Sequence, residues 1–308
     1  MPRPMAPTFR LGAFALGAIA AILCMTPQAA LAAAPVAGNA QRGAYVFAAA
    51  DCASCHTDTK AKGPTLAGGA AMVTDFGTFF APNITPDKTH GIGAWTDADF
   101  HRAMREGKGQ NGEYLYPVFP FPSFSGMTDQ DIADLWAYLK TVPPSAQPSK
   151  PQQAKAPYGI RPLLLGWRTL FFRQGPLKPV AGQTAEWNRG RYLSEAVVHC
   201  QECHSPRNAL GAIDEKNAYA GNPDGPDKQD APNITSDPKA IGKLTVADLQ
   251  EMLKTGMTPD GDYLSGGMAQ VVDGTGKMTD ADRTAIITYI RTLAPKPSTP
   301  KKGAPAKK

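Results

Sequence analysis

The chain has little of what a disulfide-stapled, sheet-based or membrane-spanning protein needs. It has only five cysteines in 308 residues. Four of them fall in two short pentapeptides, so no thiol remains for a disulfide framework once Cys24, in an N-terminal leader, is set aside. No apolar run reaches the roughly 20 residues that cross a bilayer as a helix. Long alternating β-branched runs are missing, which excludes an ordinary half-buried sheet as the main core. There is no G-x-S-x-G, no P-loop and no further set of paired histidines. Charge of one sign is also scarce. The net value is +5, but Arg3 and Arg10 sit in the leader, and Lys296, Lys301, Lys302, Lys307 and Lys308 sit in a Pro/Ala/Lys tail. The body is close to neutral and offers no nucleic-acid footprint. Gly (30) and Pro (29) are abundant, a composition suited to short helices joined by wrapping loops.

Residues 1–32 read as an export signal. Arg3 and Arg10 precede the apolar stretch from Leu11 to Leu23, and Ala30-Leu31-Ala32 supplies a small-residue cleavage site. Retention as an anchor is the alternative; lipidation at Cys24 is disfavoured because Leu23 is a poor neighbour for it. The expected location is the periplasm, either free or attached to the outer face of the inner membrane.

What is present is a repeated motif. Cys52-Ala53-Ser54-Cys55-His56 recurs as Cys200-Gln201-Glu202-Cys203-His204, and C-x-x-C-H is the spacing that attaches c-type haem. Two cysteines three apart on one turn reach the two vinyl groups of a porphyrin and form thioethers. The histidine that follows is then held under the ring as the proximal iron ligand. A structural zinc site would leave His56 and His204 unexplained, and a thioredoxin-like pair expects a βαβ setting that is absent. The expectation is two covalently bound haem c groups, on Cys52, Cys55, Cys200 and Cys203, with His56 and His204 as metal ligands.

The repetition extends beyond these motifs. Gly43 and Tyr45 match Gly190 and Tyr192, and Ala81-Pro82-Asn83-Ile84-Thr85 matches Ala231-Pro232-Asn233-Ile234-Thr235. Asn111-Gly112-Glu113-Tyr114-Leu115 matches Asp260-Gly261-Asp262-Tyr263-Leu264, and Met127-Thr128-Asp129 matches Met278-Thr279-Asp280. Four helix starts carry a Thr-x-x-Asp cap, at Thr96, Thr128, Thr245 and Thr279. Apolar stripes at Ile132, Leu135, Trp136 and Leu139, and at Ile286, Tyr289, Ile290 and Leu293, predict a terminal packing helix in each repeat. The fold class expected is all-α, with two tandem class I-like cytochrome c domains over residues 33–142 and 188–295. An extended linker, 143–187, carries the apolar segment Arg161–Arg173, and 296–308 reads as a disordered Lys/Pro/Ala tail. The apolar segment has three readings: a helix bracing the two domains, a docking surface for a partner subunit, or an interfacial membrane element.

The sixth iron ligand differs between the repeats. Met268, in Ser265-Gly266-Gly267-Met268, is the candidate for the second haem, with a gap-filling core methionine as the bland alternative. Aligning Tyr114-Leu115 with Tyr263-Leu264 puts Phe119, which cannot bind iron, opposite Met268. For the first haem the order of candidates is Met127, an open site, then His90. Met127 has a rival reading as the residue before a helix cap, in common with its mate Met278.

With these residues in view, the chain resembles the cytochrome c subunits of periplasmic, membrane-bound alcohol, aldehyde and gluconate dehydrogenases. The resemblance covers most of residues 38–295. It rests on Pro82-Asn83-Ile84-Thr85-Pro86-Asp87, Gly91-Ile92-Gly93-Ala94-Trp95, Leu115-Tyr116-Pro117-Val118-Phe119-Pro120 and the apolar stretch around Trp167-Arg168. It implies a non-enzymatic subunit that accepts electrons from a dehydrogenase partner and passes them towards quinone or a terminal oxidase, with peripheral membrane contact as a further option. Those subunits usually have three haem domains, whereas this chain has two C-x-x-C-H motifs, so a smaller dihaem carrier for a different dehydrogenase, such as a molybdenum-containing aldehyde oxidoreductase, fits as well. The alternative is a haem enzyme of the dihaem peroxidase or thiosulfate dehydrogenase type using an open first haem; a gas-binding sensor is a third class.

Overall fold

Each half of the fold is closed by a pair of crossing helices. In the computed structural model, which describes residues 36–225 and 228–301, α1 (Ala40–Ala49) lies across α5 (Asp129–Leu139), and α7 (Ala185–Tyr192) lies across α11 (Asp280–Ile290). The export-signal reading of 1–32 and the end of the tail beyond 301 lie outside the described residues. Gly43 and Gly190 mark the two crossings. A Cβ on either would stand 1.8 Å from a carbonyl oxygen, that of Asp134 or Ala285, so only glycine lets these backbones meet. Between its crossing helices the first half carries α2 (Cys52–His56), α3 (Asp97–Glu106) and α4 (Phe121–Phe124). The second carries α8 (Gln201–His204), α9 (Val246–Thr255) and α10 (Gly267–Thr275). Helix α6 (Leu164–Phe171) lies in the connecting segment.

The repeats are offset by 147 residues at Gly43/Gly190 and Tyr45/Tyr192 but by 148 at Cys52/Cys200. The extra residue is absorbed in a π turn, Leu193–Val197, that prolongs α7; such a turn is how a helix takes in one residue without breaking. The buried apolar residues of the two halves form one cluster, from Val46, Leu135 and Trp136 to Val197, Ile286 and Tyr289.

The all-α expectation requires one correction. Strands β1 (Ala71–Thr74) and β2 (Gly77–Phe80) form an antiparallel hairpin, and β3 (Gln153–Ala154) pairs with β2. The cause is local: β-prone Met72-Val73-Thr74 and Thr78-Phe79-Phe80 flank the turn at Asp75-Phe76, and Gly77, with φ 133°, opens the second strand. The third strand comes from the segment expected to run as an extended linker, and that segment wraps the first half. The Gln152 side chain accepts from Phe80 N at 2.9 Å and donates to Phe80 O at 2.8 Å, like one further rung of the sheet.

The four Thr-x-x-Asp caps separate into two kinds. Thr96/Asp99 and Thr245/Asp248 form reciprocal capping boxes within their own helices. Thr128 and Thr279 cap α5 and α11 with their side chains, but here the third-position carboxylates, Asp131 and Asp282, turn to a tyrosine of the other half. Tyr45 Oη donates to Asp282 at 2.6 Å and accepts from Thr279 N at 3.2 Å. Symmetrically, Tyr192 Oη donates to Asp131 and accepts from Thr128 N at 3.1 Å. Each hydroxyl thus relays the missing half of a capping box across the interface. Burial raises the pKa of both phenols, and the adjacent carboxylates add to it, so the donors stay protonated.

Tyr45→Phe and Tyr192→Phe are each expected to destabilise the folded chain by about 1–2 kcal/mol, with nearly additive effects in the double variant. Tyr116→Phe, whose hydroxyl is 3.5 Å from Gly159 O, is the control, expected within about 0.5 kcal/mol of wild type. Denaturant unfolding measures all three; equal midpoints for the relay variants and the control would refute the relay.

Candidate haem sites

Both C-x-x-C-H motifs are entered through a left-handed residue and then wind into one helical turn. Asp51 (φ 49°) precedes Cys52, and His199 (φ 47°) precedes Cys200. The turn puts the i and i+3 sulfurs on one side. The four cysteines form no disulfide. Burial pushes the Cys52 and Cys200 thiols up to about 12 and Cys203 up to about 11. All three are therefore neutral thiols near pH 7, the form whose S–H adds across a vinyl group, sulfur to one carbon and hydrogen to the other. Burial also raises Asp51 to about 6.

The histidines are oriented by equivalent partners. His56 Nδ1 lies 2.8 Å from Pro82 O, and His204 Nδ1 lies 2.7 Å from Pro232 O. A carbonyl can only accept, so Nδ1 carries the proton and Nε2 keeps its lone pair for iron. Burial lowers the pKa of both rings, which favours the neutral form that metal ligation needs. The donor set of two thiols and one pre-oriented imidazole fits a covalently held haem in each half.

The proline carbonyls owe their position to the residue that follows them. Asn83, 2% exposed, accepts from Thr85 N at 2.9 Å and Thr85 Oγ1 at 2.7 Å, and its amide donates to Ser145 O and Gln147 O, both at 2.8 Å. Asn233 repeats the pattern, accepting from Thr235 N and Oγ1 at 2.8 and 2.7 Å and donating to Lys296 O at 2.7 Å. The Ala-Pro-Asn-Ile-Thr repeat is thus a clamp that joins the histidine's carbonyl partner to the segment following each half's last helix. Sequence reasoning registered the repeat but gave it no chemistry.

On the opposite loops the halves differ. Met268 is half-buried in the first turn of α10 and is not among the residues of the apolar core. Phe119, its counterpart, packs beside Phe121 and Phe124 with ring centroids 6.5 and 5.6 Å away. Pro117, Pro120 and Pro122 limit α4 there to four residues. Met127 is wholly enclosed (0% exposed) and Met278 nearly so (4%); each immediately precedes a capping threonine. Of the other histidines, His101 pairs with Asp129 at 2.9 Å, His90 Nδ1 lies 3.5 Å from Asp87 without a hydrogen bond, and His199 pairs with Ala50 O at 3.3 Å.

The last of these contacts crosses between the halves and brings the second attachment segment against the first half. The His199 ring meets Phe124 edge-on at 5.2 Å, and Ser123 Oγ donates to Glu202, between the second pair of cysteines, at 2.8 Å. Beyond burial and Glu202, Cys55 and Asp51 of the first site contribute to raising the Cys203 thiol.

These features define a protein with two covalent haem attachment sites. The chain matches the cytochrome c family over residues 40–143 and 188–294 and belongs to it, carrying two covalently bound haem c groups. It is 43% identical over 258 residues to the diheme cytochrome c-type protein of Cereibacter sphaeroides, covering 82% of this chain and 86% of that one. It is 40% identical over 261 residues to the fructose dehydrogenase cytochrome subunit of Gluconobacter japonicus, covering 83% of this chain and 52% of that one. It is 39% identical over 291 residues to the cytochrome c subunit of the quinone-dependent alcohol dehydrogenase of Gluconacetobacter polyoxogenes, covering 90% of this chain and 61% of that one. The chain therefore spans less than two thirds of the length of the last two relatives.

Asn83→Ala is expected to destabilise the holoprotein by roughly 2–4 kcal/mol, since it strands buried groups on both sides of the clamp, and to shift the absorption of one haem only. Unfolding at the wild-type denaturant midpoint would contradict the assignment.

Proposed function

We propose that this chain is a periplasmic electron carrier that accepts electrons from a dehydrogenase subunit and passes them towards quinone or a terminal oxidase. Each bound haem holds or releases one electron as its iron alternates between ferric and ferrous. The observation that carries the reading is the contact of the second attachment segment with the first half: His199 reaches Ala50 O, just ahead of the first motif, and Phe124, while Glu202 accepts from Ser123, an arrangement that supports reading the two sites as adjacent members of one path. The names of the relatives, cytochrome subunits of fructose, alcohol and gluconate dehydrogenases, support a dehydrogenase as donor. Export, through the signal read at 1–32, goes with haem attachment outside the cytoplasm. Among the described residues no helix is long and apolar enough to cross a membrane.

In this reading Cys52, Cys55, Cys200 and Cys203 carry the thioethers, and His56 and His204 are the proximal ligands. Met268, half-buried and outside the apolar core, would supply the sixth ligand of the second site, and a thioether ligand beside the imidazole would raise the reduction potential. Met127 is the sequence candidate at the first site. Its enclosure before the α5 cap, with core residue Ile132 at the fourth position of that helix, matches the apolar staple that fixes a helix entry, and this packing role is the one favoured here.

Reductive titration of the purified chain tests the function: two electrons per chain are expected, with no steady oxidation of small alcohols, aldehydes or peroxide-coupled donors. Sustained turnover by the isolated chain would overturn it. Optical and EPR spectra test the ligands. Met268→Ala is expected to change one low-spin haem and leave the other. Met127→Leu is expected to leave both spectra unchanged and to cost less than about 1.5 kcal/mol in stability; loss of a low-spin signal would instead make Met127 a ligand.

A further inference from the structure

Helix α6 is apolar on its outward face as well as its inward one: Leu164, Trp167 and Phe171 are half-buried around Arg168, while Leu165 and Leu170 are exposed. Its inward face is pinned. Arg168 is buried, stacks on Tyr114, Phe121 and Phe172 at 4.9, 5.2 and 4.7 Å, and donates to the carbonyl of Glu106. Trp167 Nε1 donates to Leu210 O of the second half at 3.0 Å. The bracing expected of this segment is thus made by one face only. The other presents Leu163, Leu165 and Leu170, which are 57, 55 and 64% exposed, with Ile160 at 55% just ahead. It bears no charge, and its one hydroxyl, on Thr169, is turned back to Leu165 O at 2.8 Å. Because the opposite face is anchored, the leucines cannot rotate inward.

Along the segment that carries this helix the charge is of one sign. Between Asp134 and Glu186 there is no Asp or Glu, but there are seven Lys and Arg. Lys155 and Arg161 precede the leucines, and Arg173 and Lys178 follow them. Outward leucines framed by cations with no anion along the segment match the chemistry of an anionic phospholipid surface, where side chains enter the acyl boundary and cations meet the headgroups.

We propose that the outward face of α6 docks this protein on an anionic lipid bilayer. The helix lies in the plane of the interface and does not cross it, its eight residues being far too few to span a bilayer. The docking is peripheral and weakens with salt. It is independent of which dehydrogenase supplies electrons.

The test is flotation of the secreted holoprotein, its N-terminus fixed by mass, with phosphatidylglycerol-rich vesicles and with pure phosphatidylcholine vesicles. Wild type is expected to float with the former, less so at high salt, and scarcely with the latter. The triple variant Leu163→Gln, Leu165→Gln, Leu170→Gln, changed only at exposed positions and checked by its haem spectrum, is expected to partition roughly tenfold more weakly or worse. No flotation of wild type, or equal flotation of the variant, overturns the proposal. So does a leucine-dependent complex with a dehydrogenase subunit in the absence of vesicle binding, which would give the face to a protein partner.

Discussion

The arrangement of this molecule depends on an exchange of tyrosines. Tyr45 completes the cap of α11, Tyr192 completes the cap of α5, and each donates a hydrogen bond to the carboxylate that would otherwise have closed a local capping box. A helix N-terminus leaves backbone N–H groups without partners; Thr128 and Thr279 serve one such group locally, while their own N–H groups are hydrogen-bonded to a tyrosine of the other half. The interface is therefore specified by hydrogen bonding as well as by apolar burial, in the same way from both sides. The glycine crossings at Gly43 and Gly190 set the helices that present the tyrosines, and the π turn after Tyr192 keeps the second motif in register despite its extra residue.

A second chain of constraint runs from the clamp asparagines to the imidazoles of His56 and His204. Asn83 and Asn233 hold the loops whose proline carbonyls fix the tautomer of His56 and His204. The same asparagines tie down the segment that leaves each half, so the histidine of each motif is coupled to the chain's exit path. In the first half that path becomes β3 and the wrapping connection. The connection then forms α6, whose Arg168 and Trp167 return to both halves.

Most of the architecture was legible because the sequence repeats itself. The two attachment motifs, the four capping threonines and the terminal helix stripes each correspond to elements in the structure. The repeat pairs Gly43/Gly190, Tyr45/Tyr192 and Pro82-Asn83/Pro232-Asn233 were visible, but their roles were not. A tyrosine that caps a helix two hundred residues away leaves no local periodicity, and a proline acting through its carbonyl leaves no side-chain signature. The small sheet was missed because its strands are short and its third member comes from a Pro/Gln/Lys-rich stretch that reads as linker. Met127 and Met278 illustrate the converse: both precede caps, and only burial in the structure separates a packing methionine from the half-buried Met268.

The most direct test of the account is electron redistribution between the haems after rapid injection of less than one electron per chain, followed optically over a range of protein concentrations. Because the second attachment segment meets the first half through His199 at Ala50 O and Phe124 and through Glu202 at Ser123, the account predicts redistribution at a rate independent of protein concentration. A rate proportional to concentration, or no redistribution at all, would mean that the two sites do not form one path and would contradict it.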